Sequence, residues 1–287
     1  MIHQPIRKRF KLPKQRKTTW NEIFNNPKDI LIDTFETGTI LFSNKYMLNL
    51  SHPYAKELNE EELQVPVFSH LITHKTYGHF LIDSGLDRSF QNDVYGNIEG
   101  KNKEILWPLK SYQEPNQDIA SLLLDMNINL KGIFLTHLHI DHVAGIQDLP
   151  KDIQVIIGKD EPFHFFGKNL YQDHFKGRES IHEIDFSQAH QIPPLESCIN
   201  LFGDGSLWAL FTPGHTKSHV SYLVNGKKQV MLLTGDACDI KLGFERCVGP
   251  GLGCFNVKGA QETLEKIKHF SDQFPNIKLC FGHEKID

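Results

Sequence analysis

Residues 132–142 read Gly-Ile-Phe-Leu-Thr-His-Leu-His-Ile-Asp-His, and this stretch decides how the rest of the chain is interpreted. Gly132–Thr136 is a short apolar run typical of a buried strand. His137 and His139 follow it, and because residues two apart in an extended chain point the same way, both can bind one ion. Asp141 and His142 come where the chain turns, and they can face a second ion. Three imidazoles and a carboxylate within six residues are costly to bury without a cation, so the stretch predicts a metal site.

Three other apolar runs end in glycine followed by a residue that can bind metal. They are Leu207–Thr212 before Pro213-Gly214-His215, Val230–Thr234 before Gly235-Asp236, and Ile277–Cys280 before Phe281-Gly282-His283. Glycine lets the backbone turn sharply at such a point, and a sheet edge holds loop-borne ligands rigidly. We therefore predict seven ligands in two sets that share Asp236 as a bridge. The first ion takes His137, His139 and His215, and the second takes Asp141, His142 and His283.

The predicted donor atoms are nitrogen and oxygen without thiolate, which suits Zn²⁺, with Fe, Mn and Co as alternatives. The five cysteines show no zinc-finger spacing, and Cys238 is interpreted as a small buried residue. Because the protein ligands fill each coordination shell only in part, water or hydroxide can bridge the two ions. This is the arrangement of a two-metal hydrolytic site, whose ions lie roughly 3.5–4 Å apart.

The composition of the chain indicates an ordinary globular protein. The chain has 287 residues, of which 39% are hydrophobic, and this excludes a disordered chain. Five cysteines are too few and odd in number for a disulfide scaffold. No run approaches 18 apolar residues, so no membrane-spanning helix is expected. The first residues lack the apolar core of a signal peptide, and we predict a cytoplasmic protein.

The N-terminal stretch differs in charge from the rest of the chain. Residues 1–17 carry seven of the 31 Lys and Arg and no acid, which leaves 24 Lys and Arg against 35 Asp and Glu, or −11, beyond them. One interpretation of the stretch is a basic arm that contacts nucleic acid or an acidic partner protein. The other is a solvated tail, or a strap that lies across the acidic body. An acidic body argues against a broad nucleic-acid surface. We predict an extension over residues 1–29 and a hydrolase domain over residues 30–287.

Strand-like runs far outnumber helical patterns. The runs are Ile30–Ile32, Val67–Ile72, His79–Ile82, Gly132–Thr136, Gln154–Ile157, Ser206–Thr212, Val220–Val224, Val230–Leu233 and Ile277–Cys280. Apolar residues follow helical spacing in Asp118–Met126 and Ala260–Phe270, and both stripes are interpreted as core packing. Many strands lie close together in sequence, which indicates mixed or antiparallel sheets flanked by helices.

Together these motifs resemble the metallo-β-lactamase superfamily. The match consists of the run at 137–142, Thr212-Pro-Gly-His-Thr216, Thr234-Gly-Asp236 and Gly282-His283, with Ile82-Asp-Ser-Gly85 similar to an early strand-end motif. The resemblance covers about residues 30–287. It implies an α+β fold, the αββα four-layer sandwich, with the metal site at one edge between two mixed sheets. The seven ligands proposed above coincide with the family's pattern.

Within that superfamily the chain is most similar to the N-acyl homoserine lactonase and organophosphate-hydrolase branch. The similarity lies in Phe202–Trp208, Thr234-Gly-Asp-Ala237 and Phe281-Gly-His-Glu284. Quorum-quenching lactonases typically carry a tyrosine three residues after the bridging aspartate, where this chain has Asp239. The substrate is therefore left open.

The predicted reaction is attack by a metal-bridging hydroxide on a lactone or carboxylic ester. Asp141 is the proposed catalytic proton carrier to the leaving group, and Asp83 and His219 are candidate partners that orient ligand imidazoles. A phosphotriester or phosphodiester hydrolase using the same metals is the main alternative. Nucleic-acid processing, a di-iron oxidoreductase and a β-lactamase are less favoured.

Three segments outside the ligand motifs are candidates for substrate contacts. The aromatic residues from Phe163 to Phe175 form either an apolar pocket wall or a core or subunit contact. Gly243–Phe255 is either a mobile substrate loop or a plain glycine-rich connection. Asp87–Pro115 is a long polar insertion, interpreted as a lid or the arm of a homodimer. A small-molecule substrate is expected in each case.

Overall fold

The computed structural model describes residues 5–98, 109–163 and 173–285. Its strands are β1 (Ile6–Arg9), β2 (Ile30–Ser43), β3 (Glu62–His74), β4 (Gly78–Ile82), β5 (Lys110–Tyr112), β6 (Leu130–Phe134), β7 (Gln154–Gly158), β8 (Ser180–Ile184), β9 (His190–Ile192), β10 (Glu196–Asn200), β11 (Leu207–Phe211), β12 (Val220–Asn225), β13 (Val230–Gly235) and β14 (Lys278–Phe281). The α-helices are α1 (Trp20–Phe24), α2 (Ile119–Asp125), α3 (Ile140–Val143), α4 (Lys241–Arg246) and α5 (Val257–Gln273).

The described strands form two sheets. Because of the directions in which the strands run, the carboxyl ends of several of them lie at one edge. One sheet has the order β1-β8-β7-β6-β4-β3-β2-β5, and the other has the order β14-β13-β12-β11-β10-β9. In the first, β4, β6 and β7 pair in parallel, so their carboxyl ends lie together. In the second, β11 and β13 are both antiparallel to β12, and β14 is parallel to β13. The residues that follow these strands therefore meet.

The core is divided into layers because central strands bury both faces. In β6, Ile133 packs in the core on the outer face of the first sheet, while Phe134 packs between the sheets. In β11, Leu207 lies between the sheets, while Trp208 faces the outer core that α1 and α5 cover. Helices on both outer faces complete the αββα sandwich, which confirms the predicted fold class.

Helix α5 shows how the sequence builds an outer layer. The Asn256 side chain accepts a hydrogen bond from the Gly259 N–H and caps the first turn. Leu264, Ile267 and Phe270 form a buried stripe on one face of the helix, as expected for a helix that covers a sheet. The predicted core role of this stripe is confirmed. The other predicted stripe forms α2, where Ile119 and Leu123 are buried; Met126, which was also predicted to pack in the core, follows the end of the helix and is exposed.

The basic N-terminal stretch crosses from one sheet to the other. Strand β1 pairs in parallel with β8 at the edge of the first sheet. Gln15 then exchanges two hydrogen bonds of 2.9 Å with the backbone of Asn200 in β10, and the Trp20 indole donates to the Ile192 carbonyl. Residues 6–20 are called the N-terminal strap below. The predicted domain boundary at residue 29 stays a prediction, although the strap packs on both sheets. Among the described residues, no helix combines the length and apolar character that crossing a membrane requires.

Candidate metal centre

The seven predicted ligands come together at the edge where the strands end. His137, His139 and His215 form one group with Asp236, and Asp141, His142 and His283 form a second group with the same aspartate. Within each group the candidate ligand atoms all lie within 4.8 Å of one another. They come from the turn after β6, the turn after β11, the end of β13 and the end of β14. The two groups match the two predicted sets, while the ligand roles stay a proposal.

Asp236 lies between the two groups and presents a different oxygen to each. Its Oδ2 is 3.3 Å from His215 Nε2 and 3.6 Å from His137 Nε2. Its Oδ1 is 3.2 Å from His142 Nε2 and 3.6 Å from His283 Nε2. This division of oxygens is the geometry that a bridging carboxylate requires.

Asp141 belongs to the second group alone. Its Oδ2 is 3.3 Å from His283 Nε2 and 3.4 Å from His142 Nε2. It lies in the first turn of α3, one residue before His142. That short helix turns the chain immediately after His139, so Asp141 and His142 face the second group while His137 and His139 face the first.

Burial sets the protonation of the first group. His137 is fully buried, and burial holds its pKa well below the usual histidine range, with a smaller contribution from His142. Burial also lowers the pKa of His139 to about 4 and that of His215 well below its usual value. Because a metal ion binds the neutral imidazole, these histidines are in the form that coordination needs at neutral pH.

The second group has excess negative charge. Burial lowers the pKa of His142, but Asp236, Asp141 and Asp83 outweigh it and raise that pKa well above the usual range. The pKa of His283 is likewise raised by Asp236 and Asp141 against burial. The two candidate ligand carboxylates therefore draw a cation to this position. A divalent ion supplies that charge without protonating the imidazoles.

Several buried polar atoms in the two groups lack a conventional partner. His137 Nε2, His142 Nε2 and Asp236 Oδ1 make no hydrogen bond to any described residue. Leaving such atoms unsatisfied costs about 1–3 kcal/mol each. All three belong to residues of the two candidate groups, so the residues fit divalent metal ions.

Asp83 fixes the orientation of His142. Its Oδ2 lies 2.8 Å from His142 Nδ1, and its carboxylate also accepts hydrogen bonds from the Thr136 N–H and hydroxyl at 2.7 and 2.8 Å. Since a carboxylate accepts, the His142 hydrogen sits on Nδ1 and Nε2 is free to bind metal. The Pro66 carbonyl, 2.9 Å from His283 Nδ1, does the same for that ring.

The His219 ring contacts the backbone of Asp236, the candidate bridging ligand. Its Nε2 accepts the Asp236 N–H at 3.1 Å, and its Nδ1 lies 2.9 Å from the Thr212 hydroxyl. The ring is fully buried, and burial lowers its pKa to about 3. It therefore supports a candidate ligand carboxylate, whereas the sequence suggested that it orients an imidazole.

A pocket opens onto the two groups. Its polar wall contains the candidate ligands His139, Asp141, His215, Asp236 and His283, together with Asp239. Its apolar wall is formed by Ile40, Phe42, Tyr46, Leu109, Ile140 and Leu252. Burial and the neighbouring Asp236 raise the pKa of Asp239 well above its usual range. A substrate that enters here meets an apolar surface on one side and the two groups on the other.

The structure also locates the three segments proposed for substrate contacts. Phe163 and Phe175 are buried in the core on the outer face of the first sheet, and the aromatic residues between 164 and 172 lie outside the described residues. Leu252 and Gly253, from the glycine-rich segment, line the pocket, as does Leu109 from the insertion. Residues 99–108 of that insertion are not described. Cys238 is buried and belongs to neither candidate group.

Two residues near the groups escaped the sequence analysis. The Cys254 thiol lies 3.7 Å from His215 Nδ1, and Glu161 is a buried carboxylate in the turn after β7. Nothing in the local sequence distinguishes Cys254. Glu161 follows a strand whose end shares the edge of the metal groups, and that position was a usable signal.

The comparison with protein families decides the assignment. The Metallo-beta-lactamase superfamily profile matches residues 64–237, which contain six of the seven candidate ligands. The chain belongs to the metallo-β-lactamase superfamily. Among curated superfamily members, the N-acyl homoserine lactonase AttM of Agrobacterium fabrum is 26% identical over 236 residues, covering 79% of this chain and 84% of that protein. AttM of Rhizobium johnstonii is 28% identical over the same number of residues.

Solved structures of superfamily members share the fold. An N-acyl homoserine lactone hydrolase with the product N-hexanoyl-L-homoserine at its catalytic metal centre superposes with a TM-score of 0.67, at 20% identity, covering 90% of this chain and 94% of that one. AidC, a dizinc quorum-quenching lactonase, gives a TM-score of 0.60 at 13% identity, covering 90% and 88%. The chain is thus a hydrolase of the metallo-β-lactamase superfamily, with a lactonase-like fold and two groups of residues that could hold metal ions.

Proposed function

We propose that the protein is a dinuclear metal-dependent hydrolase that opens a lactone or cleaves a carboxylic ester. The single observation that carries this proposal is the division of Asp236, whose Oδ1 and Oδ2 face two separate groups of ligand atoms. Two groups that share one carboxylate fit a pair of ions better than a single ion. The curated relatives named N-acyl homoserine lactonase support the substrate class.

The proposed ligands fall into two sets, one for each metal ion, with Asp236 common to both. His137, His139 and His215 would hold the first ion, Asp141, His142 and His283 would hold the second, and Asp236 would serve both. When bound, such ions lower the pKa of water toward neutrality and stabilise charge on the oxygen of the reacting group. Zn²⁺ is the proposed metal because the donors are imidazole and carboxylate.

Asp141 is the proposed proton carrier. It lines the pocket and remains ionised, because His142 and His283 lower its pKa against the opposing effect of burial. A carboxylate that lines the pocket can accept a proton and deliver it to a leaving alkoxide. The apolar wall formed by Phe42, Ile140 and Leu252 excludes water from one side of the substrate.

Metal analysis combined with a substrate screen tests the proposal. We expect the purified protein to hold two ions and to hydrolyse lactones or carboxylic esters with a higher kcat/KM than aryl phosphotriesters. His137→Ala and Asp236→Ala should each lower the metal content and reduce kcat/KM by at least about a hundredfold, since both remove proposed ligands.

The control is Asp118→Asn, which changes a buried carboxylate that caps α2 and contacts Arg88. This variant should retain both ions and the activity of the wild type. Hydrolysis that survives complete removal of metal contradicts the proposal. A preference for phosphotriesters would assign the alternative substrate class to the same centre.

A further inference from the structure

Glu161 occupies an unusual position for a carboxylate. It lies in the turn after β7, with 1% of its surface exposed, and is not a candidate ligand. Its Oε2 accepts a hydrogen bond from the Ser218 N–H at 2.9 Å. Ser218 makes a second hydrogen bond to the same turn, in which its hydroxyl donates to the Lys159 carbonyl at 2.5 Å.

The carboxylate faces both loops that carry the first ligand group. Burial raises the pKa of Glu161 to about 7 against the opposing effect of the nearby Thr216 hydroxyl, Ser218 N–H and Leu138 N–H. Among the described residues, only the Ser218 N–H makes a hydrogen bond to this carboxylate. Leu138 lies between His137 and His139, and Thr216 follows His215. One buried side chain therefore lies near both loops that carry the first group, and it is hydrogen-bonded to the His215 loop through Ser218.

Close packing leaves the turn little freedom to move relative to these loops. A Cβ atom added at Gly158 would lie 2.1 Å from the Ser218 carbonyl oxygen, so the backbones touch at this point. On the other side, the Asp160 N–H donates to Glu183 Oε1 at 3.1 Å. The turn is fixed between β8 and the loop that precedes β12.

The N-terminal strap holds the turn from outside. Arg7 Nη2 donates to the Glu161 carbonyl at 2.7 Å, and Nη1 pairs with Glu183 Oε1 at 2.5 Å. The Arg7 guanidinium also lies 4.5 Å from the centre of the Phe163 ring. Its neighbour Lys8 is exposed and makes no ion pair with a described residue. Arg7 thus connects the strap to the turn that carries Glu161, whereas Lys8 does not.

We infer that Glu161 is a positioning residue that fixes the spacing of the His137–His139 and His215 loops, and that Arg7 anchors it there. This inference rests on the proposed metal centre, but it does not depend on which substrate is hydrolysed. Glutamine has the same shape but turns an NH₂ group toward backbone N–H donors. Glu161→Gln should therefore loosen the first group and leave the second unchanged. Partners outside the ligand set typically change metal affinity by about 10- to 100-fold.

Zinc affinity measured against a chromophoric chelator tests the inference in two backgrounds. His283→Ala leaves the first group as the stronger site, and His215→Ala leaves the second. We expect Glu161→Gln to weaken zinc binding about 10- to 100-fold in the His283→Ala background and by less than about twofold in the His215→Ala background. Arg7→Ala should act in the same direction with a smaller effect, and it changes a position that is not in the core.

Lys8→Ala is the matched control for Arg7→Ala, since it removes a cation from the same strand. Equal weakening in both backgrounds, or no weakening in either, overturns the role of Glu161. A Lys8→Ala effect as large as that of Arg7→Ala overturns the role of the anchor. A wild-type protein that binds two ions but hydrolyses no ester or lactone refutes only the proposed function, because the affinities are read without turnover.

Discussion

At the scale of single residues, Asp83 has two roles: it adopts a strained backbone conformation and it orients the ring of His142. Its backbone has φ of +57°, in the left-handed region that aspartate and asparagine tolerate better than most residues. Its carboxylate receives two hydrogen bonds from Thr136 and fixes the tautomer of His142. The turn conformation after β4 and the state of a proposed ligand are therefore set by one residue.

Asp83→Asn separates the backbone role of this residue from its role toward His142. Asparagine has nearly the same size as aspartate and also tolerates a positive φ. Its oxygen can still accept the Thr136 N–H, which places its NH₂ group against His142 Nδ1. The His142 hydrogen then shifts to Nε2, where it blocks metal binding. We expect zinc affinity of the second group to fall about 10- to 100-fold, measured by chelator competition. Asp87→Asn, which changes a buried capping carboxylate, should have no such effect, and an unchanged affinity in Asp83→Asn would contradict this account.

At the scale of elements, the loop after β11 and the start of α5 are built around one glycine. Gly214 has φ of +138°, and a Cβ atom there would lie 2.2 Å from the Ala260 backbone nitrogen. Its N–H donates to the Thr216 carbonyl, and its carbonyl accepts the Asn256 N–H. Helix α5 therefore packs directly on the loop that presents His215, and the spacing between them has no room for a side chain.

Gly214→Ala should move the helix and the loop apart. We expect a loss of about 2–4 kcal/mol in the free energy of unfolding, from backbone strain and the overlap with Ala260, together with reduced metal content. Urea unfolding and metal analysis measure these two effects. Gly205→Ala is the matched control, because Gly205 has φ of +88° but its Cβ position would make only an ordinary contact, 3.9 Å from Lys28 Cε. A control that loses as much stability as Gly214→Ala would show that strain alone is responsible.

The elements also show what sequence patterns can and cannot predict. The ligand groups follow from strand ends, since parallel strands bring their carboxyl ends to one edge. Strand β2 was predicted only over Ile30–Ile32, because polar residues and a bulge between Glu36 and Gly38 interrupt the pattern over the rest of Ile30–Ser43. The position of Glu161 against Ser218 depends on contacts between distant segments, which local spacing does not encode.

At the scale of the whole molecule, the proposed metal centre joins the two sheets. His137, His139, Asp141 and His142 follow a strand of the first sheet, while His215, Asp236 and His283 follow strands of the second. Ions bound across that junction would link the two halves of the sandwich. The sequence predicted the two sheets and the ligands, and a strap was one interpretation of the basic N-terminal stretch, but no pattern indicated that this strap would connect the two sheets.

Removal of metal should therefore lower the stability of the whole fold. A ligand present at 1,000 times its Kd stabilises the folded state by about 4 kcal/mol, so two such ions account for a decrease in Tm on the order of 10 °C. Thermal unfolding with and without a chelator measures this difference. Asp236→Ala serves as the control, since it lacks the shared ligand and should show a much smaller shift. An unchanged Tm in the chelated wild type would argue against ions that join the sheets.

The N-terminal strap has a consequence for biosynthesis. Ile6 pairs with Ser180, and Gln15 bonds to Asn200, so the strap's partners are made long after it leaves the ribosome. At 5–20 residues per second, translation of the intervening chain takes about 10 to 35 seconds. During that interval Arg7 lacks its native partners Glu161 and Glu183, and Trp20 can stack only on the neighbouring Phe24. The strap is thus synthesised well before its partners, and it can dock only once β8 and β10 have left the ribosome, so the edges of both sheets are completed late.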